Sequence, residues 1–288
     1  MRWKLGRRST NIEDRRGVRV GPGSGLRLGG GAVLLIAVVA LLMGGDPGRI
    51  LEILEQPQVT VSEEPGSGPP AGPANDEQAD FVAAVLGDTE DTWEQVLAEA
   101  GRRYQPPRLV LFSDAVQSAC GLGSAAVGPF YCPGDRKVYI DLAFFRELDE
   151  RFGAPGDFAR AYVIAHEVGH HIQNLLGIAD QVSRLSARLG AAERNALSVR
   201  QELQADCFAG VWGHHAGKQR DLLEQGDVEE GLDAAAAIGD DRLQRRAGGY
   251  VQPESWTHGS SAQRVRWFRR GLELGRVGEC DTFASDRP

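Results

Sequence analysis

The stretch YVIAHEVGHHIQNLLG, residues 162–177, constrains the chain more than any other, because it sets His166, Glu167, His170 and His171 inside an apolar frame of helical period. A helix over 158–176, with Asp157 near its N-cap and Gly177 just past its end, satisfies that period. At about 100° per residue, Ile164, Val168, Ile172 and Leu175 share one face, and His166 and His170 fall roughly opposite. Imidazoles at i and i+4 stand one turn apart and can bind one metal ion. Glu167 lies beside the pair, too close in sequence to be a comfortable ligand yet able to reach a metal-bound water. That is the position of a general base. His171 points away from His170, has no part in the motif, and is expected to be a supporting or surface group.

Zinc suits such a site: it accepts imidazole nitrogens at about 2.0–2.1 Å, has no redox chemistry, and lowers the pKa of its bound water to about 7. Two protein ligands are too few, since catalytic zinc sites keep three plus water. Downstream, VRQELQADCFAGVW is a second helical stretch in which Glu202 and Asp206 share a face. Glu202 is the expected third ligand. Asp206, one turn on, is placed to accept a hydrogen bond from the non-ligating nitrogen of a zinc histidine, which fixes its tautomer. Both carboxylates lie among Leu203, Ala205, Phe208, Ala209 and Val211, where a merely solvated helix face is less natural.

The formal charge of −8 over 288 residues hides an asymmetry. Residues 1–27 carry +6 and the remainder −14, and an acidic main body argues against nucleic acid as partner. Between Arg27 and Asp46 run eighteen uncharged residues, LGGGAVLLIAVVALLMGG, roughly 27 Å long as a helix. With a basic segment before it, this predicts an uncleaved transmembrane helix, a cytoplasmic N-terminus and an extracytoplasmic domain. A cleaved signal peptide is the competing reading, disfavoured by the long basic region and the lack of a small-x-small site after the run. The expected organisation is therefore a basic cytoplasmic segment at 1–27, a transmembrane helix at 28–45, a juxtamembrane segment and Pro/Gly/Ser-rich linker at 46–75, and one domain at 76–288. Within that domain the sequence reads as helices DEQADFVAAVLG and DTWEQVLAEAGRRY, a strand RLVLF, a hairpin or small sheet in GPFYCPGDRKVYID, and then mostly helix. Four cysteines beyond an anchor suggest disulfides; of three formal pairings, Cys120 with Cys132 and Cys207 with Cys280 is favoured.

HEVGHH and ELQAD, together with NIEDRRG, GPFYCPGDRKVYIDLAFF, FGAPGDFARAYVIAHEVGHHIQNLLG, IGDD, THGSSAQRVRWF and CDTF, resemble the bacterial neutral zinc metallopeptidases, membrane-anchored proteins within the HExxH-plus-Glu gluzincins, over nearly the full length. The resemblance implies a mostly α-helical α+β domain of zincin-like fold with a small β-sheet. It also implies one Zn2+ held by His166, His170 and Glu202, Glu167 as catalytic base, and Asp206 behind a ligand histidine. An oxyanion-stabilising group is also needed. His258 is the candidate and Arg264 a weaker one, against the reading that residues 257–261 only form a turn and N-cap. KVYID is considered as an edge strand on which an extended peptide could lie. The expected function is a membrane-anchored zinc endopeptidase acting on a peptide or protein substrate. The rival is a catalytically silent, zinc-stabilised binding or regulatory module on the same scaffold.

Overall fold

The computed structural model describes residues 1–18, 76–124, 128–247, 250–285 and 288. The chain divides into two units, residues 1–17 with 69–288, and residues 18–68. The first holds the fold. Trp3–Leu5 form a turn of 3-10 helix and Ile12–Asp14 form β1. Helix α1 (Glu77–Glu99) opens on Asp76, whose carboxylate accepts from the N–H groups of Gln78 and Ala79. Strand β2 (Arg108–Phe112), the hairpin of β3 (Ala115–Ser118) with β4 (Gly121–Ser124), β5 (Phe130–Cys132) and β6 (Lys137–Asp141) follow. The rest is helical: α2 (Ala143–Glu150), α3 (Asp157–Leu175), α4 (Ile178–Ser186), α5 (Ala191–Lys218), α6 (Asp227–Ala237), α7 (Asp240–Arg246) and α8 (Ser261–Leu274).

The main sheet runs β1-β2-β6-β5, with β1, β2 and β6 parallel and β5 antiparallel to β6. Strands covered on both faces read as continuous apolar runs, which is why Leu109, Val110 and Leu111 are all fully buried. Alternation divides them: Leu109, Leu111, Val138 and Ile140 pack toward the helices, while Val110, Phe112 and Tyr139 join Val116 of the hairpin and Cys132 in a second, smaller cluster. The helical core centres on α3, where Phe158 stacks on Trp212 of α5 at 5.6 Å and Tyr162 meets Phe268 of α8 edge-on at 4.9 Å. Both favoured disulfides are present, Cys120–Cys132 tying the hairpin to β5 and Cys207–Cys280 tying α5 to the C-terminal segment.

Several expectations are corrected. The two helices read between Asp76 and Tyr104 are one, because Asp91, on which the second was read to open, is no N-cap: it lies inside the helix, and its carboxylate accepts from Arg7 Nε at 2.8 Å. KVYID is an interior strand between β2 and β5, and the edge strands of the described sheet are β1 and β5.

The larger correction concerns the N-terminus. The expected transmembrane helix at 28–45 and the linker at 46–75 lie outside the described residues, and no helix among the described residues is long and apolar enough to cross a membrane. Moreover β1 pairs directly with β2, Ile12 opposite Leu109 and Asp14 opposite Leu111. Residues 12–14 and 108–112 therefore share one side, contrary to a single span between a cytoplasmic N-terminus and an extracytoplasmic domain. The transmembrane element of the fold class and the single-pass placement fall together, and the membrane as partner is left without support. The positive-inside argument took the early basic residues as free charges. Instead Arg2, Lys4, Arg7, Arg8, Arg15 and Arg16 pair with Asp221, Glu77, Glu90, Asp80, Glu13 and Asp14. The Met1 ammonium lies 2.8 Å from Asp157 Oδ1 at the first turn of α3.

Candidate metal centre

Helix α3 runs one residue earlier than expected at each end, with Gly156 rather than Asp157 at the N-cap, and it ends at Leu175 with Gly177 in the left-handed region at φ 77°. It is buried almost all round, so its chemical face opens into a cleft rather than onto the surface. The cleft has a volume of about 450 Å³ and is bordered by α3, α5, β5 and the residues around Ile238 and His258.

Helices α3 and α5 approach closely at Gly169: a Cβ there would stand 2.8 Å from the Ala205 carbonyl oxygen and 3.1 Å from Ala205 Cα. That approach brings Glu202 to the imidazole pair. His166 Nε2 lies 3.2 Å from Glu202 Oε2, and His170 Nε2 lies 3.4 Å from Glu202 Oε1. One donor atom from each of the three lies within 4.8 Å of the others. A tetrahedral ion with bonds of about 2.0–2.1 Å sets its ligand atoms roughly 3.3 Å apart, so the trio fits zinc in both spacing and donor type.

The remaining ring nitrogens are fixed from behind. His166 Nδ1 lies 2.8 Å from Asp206 Oδ1. Asp206, fully buried, also takes the Tyr162 hydroxyl and two bonds of 2.9 Å from Arg264 Nε and Nη2. His170 Nδ1 lies 2.9 Å from Gln173 Oε1, and Gln173 Nε2 donates to Gln201 O and Gln204 Oε1. Both Nε2 atoms thus face Glu202. In the metal-free state burial pushes the His166 imidazole down, but Asp206 and Glu202 outweigh it and lift it to about 10. Burial pushes the Glu202 carboxyl up, yet His170 and His166 hold it well below the usual carboxylate range. A cation bound between the three would take the place of the protons they share.

Glu167 lines the same cleft, and burial raises its carboxyl above the ordinary value. No side chain among the described residues bonds its carboxylate. His258 also borders the cleft, half-exposed, with Nδ1 3.2 Å from Asp240 Oδ1. Asp240 Oδ2 accepts the backbone N–H groups of Thr257, His258 and Gly259 at 2.8, 2.7 and 3.0 Å, so one carboxylate shapes the whole turn, including Gly259 at φ 92°. Asp240 raises the His258 imidazole. Arg264 is 2 % exposed and directed to Asp206, which removes it as an oxyanion candidate.

His171 is no surface group. Its Nε2 donates to Gln105 O at 2.6 Å and its Nδ1 takes the Tyr131 hydroxyl at 3.0 Å, which itself accepts from Asn174 Nδ2 at 2.9 Å. Burial pushes His171 down to about 4, and the neutral ring pins β5 to α3. The sequence reading assigned no role to Asp240, Gln173 or Tyr131. IGDD and HHIQN were visible, but nothing local names the partners these side chains find.

A helix bearing two imidazoles and a carboxylate, faced by a second helix whose carboxylate meets both imidazoles, is an arrangement that could hold a zinc ion. The chain belongs to the family described as "Putative neutral zinc metallopeptidase", which matches residues 1–283. The family points to a hydrolase and implies zinc. An Escherichia coli (strain K12) protein called "Uncharacterized protein YpfJ" is 49% identical over 286 residues, 98% of this chain and 99% of that protein. A Mycobacterium bovis protein called "Uncharacterized protein Mb2605" is 42% identical over 257 residues, 85% of each chain. No solved structure matches significantly.

Proposed function

We propose that the chain is a zinc-dependent endopeptidase with one metal ion, held by His166, His170 and Glu202, and with Glu167 as general base. The observation that carries this reading is the convergence of three zinc-type donor atoms within 4.8 Å in a cleft that Glu167 also lines. When bound, zinc supplies a Lewis acid that polarises the scissile carbonyl and lowers the pKa of a water to about 7. Glu167 takes the proton of the attacking water and returns it to the leaving amine, a transfer suited to a buried carboxyl that no side chain among the described residues bonds. Asp206 fixes the His166 tautomer and Gln173 fixes that of His170. His258, oriented through Nδ1 by Asp240, has Nε2 left to donate to the carbonyl oxygen as negative charge develops. A substrate backbone lies extended beside the edge strand β5, whose Phe130 and Tyr131 border the cleft.

The test is Glu167→Gln. The variant should bind zinc with wild-type stoichiometry, measured by elemental analysis, and lose hydrolysis of a generic unfolded protein. Full activity in that variant overturns the base assignment. Zinc bound without any hydrolysis by the native protein overturns the peptidase reading.

A further inference from the structure

The cleft is chemically lopsided. Its metal end holds every ionisable side chain that borders it with charge to offer, and the charge of Arg264 is matched by Asp206. The other end is walled by Phe144, Phe152, Val163, Ile238 and Leu243. Val163 stands one helical turn before Glu167 on α3, so the apolar end begins directly beside the proposed base. The Phe144 and Phe152 rings lie 6.1 Å apart. Phe152 is held in place: Arg246 donates to the carbonyl oxygens of Arg151 and Phe152 at 3.0 Å each, and its guanidinium lies 5.8 Å from the Phe152 ring. Phe144, Phe152, Ile238 and Leu243 are only partly buried, which leaves apolar surface facing the cavity.

A charged substrate group placed there would lose its hydration and find no counter-charge in the wall, since the Arg151 and Arg246 guanidiniums, 5.4 and 5.8 Å from the Phe152 ring, do not line the cleft. An apolar group would instead gain by covering the exposed rings. We infer that this end of the cleft receives a bulky uncharged side chain, of the Leu, Ile, Met or Phe kind, from the residue flanking the scissile bond. The inference rests on the peptidase reading above and names the substrate class for the same site.

The experiment uses the zinc-loaded full-length protein and a set of fluorogenic peptides identical except for Leu, Phe, Asp or Lys at each residue flanking the scissile bond. At one of these positions kcat/KM for Leu and Phe should exceed that for Asp and Lys by at least about tenfold. The same peptides, fluorescein-labelled, should bind the zinc-loaded Glu167→Gln variant in the same order by anisotropy. Leu243→Glu, checked for unchanged zinc content and melting temperature, should raise kcat/KM for the Lys peptide relative to Leu by about tenfold or more. Cleavage without apolar preference, a preference for Asp or Lys, or a Leu243→Glu variant with unaltered ranking each overturns the inference while leaving the peptidase reading intact. Absence of cleavage for every peptide overturns the peptidase reading instead, and the binding order then decides the inference by itself.

Discussion

Asp206 shows how much one buried carboxylate does. It takes a bond from His166, one from Tyr162 and two from Arg264, with no exposure to solvent. Asp206→Asn would leave the Arg264 guanidinium buried without its counter-ion, at a cost of about 3–5 kcal/mol in urea unfolding of the metal-free protein. It would also free the His166 ring and weaken zinc binding about 10- to 100-fold in a competitive chelator titration. The double variant Asp206→Leu/Arg264→Met separates the two effects. It should regain much of the stability but none of the zinc affinity, and recovery of both would refute the role given to Asp206. His258 stands at the other side of the cleft, and His258→Ala should lower kcat by about 100-fold with zinc content unchanged. An equal loss in zinc content would instead make His258 a support of the metal centre. At this scale the sequence showed what helical spacing shows: His166 with His170, Glu202 with Asp206. It did not show Asp240 beneath His258 or Tyr131 beneath His171, because those pairs are separated by 18 and 40 residues and meet only through the tertiary fold.

Between elements, the decisive feature is the closeness of α3 to α5. Gly169 sits between His166 and His170 on α3, and a methyl group there would press on the backbone of Ala205, which cannot swing aside as a side chain can. Gly169→Ala should therefore destabilise the protein by about 1–3 kcal/mol despite the better helix propensity of alanine. By moving α5 outward it should also loosen the grip on zinc. A variant as stable as the parent, with unchanged zinc affinity, would show that the helices have room to spare. The helices were legible because each keeps a 3.6-residue period long enough to outweigh local noise. The strands were legible as β-prone runs, but not in their order: KVYID looked like an edge, and its interior place comes from pairing on one side with β2, nearly thirty residues earlier, and on the other with β5. The break read into α1 failed for a related reason, since Asp91 and Thr92 resemble a helix start until Arg7 claims the Asp91 carboxylate and the Thr92 hydroxyl donates back to the Asp88 carbonyl oxygen.

For the whole molecule, the N-terminal arm decides the architecture. Its arginines and Lys4 looked like the basic flank of a membrane span because a sequence shows charges without their partners; in the fold Arg2, Lys4, Arg8 and Arg16 lock residues 1–17 onto α1 with its N-cap and the α5–α6 connection, and Glu13 ties them to Lys137 of β6. This docking carries a pH signature. Pairing with Arg8 lowers the Asp80 carboxyl. Burial pushes Asp76 and Glu13 up, but Arg16 outweighs it for Asp76, and Lys137 with Arg15 outweigh it for Glu13, so both also lie below their ordinary values. A carboxyl whose pKa is lower folded than unfolded contributes stability that is fully present above its unfolded pKa, about 4, and is lost as pH falls through the folded value. The arm should therefore be firmly held from pH 7 to about 5 and loosen below about 4, earlier at high salt because these pairs are partly exposed. The check is thermal unfolding from pH 7 to 3 for the native chain beside an Arg8→Gln/Arg16→Gln variant. The variant should melt lower at pH 7 and fall less steeply on acidification, since it lacks the interactions that protonation removes. Parallel curves for the two proteins would mean that the backbone pairing of β1 with β2, rather than charge, holds the arm in place.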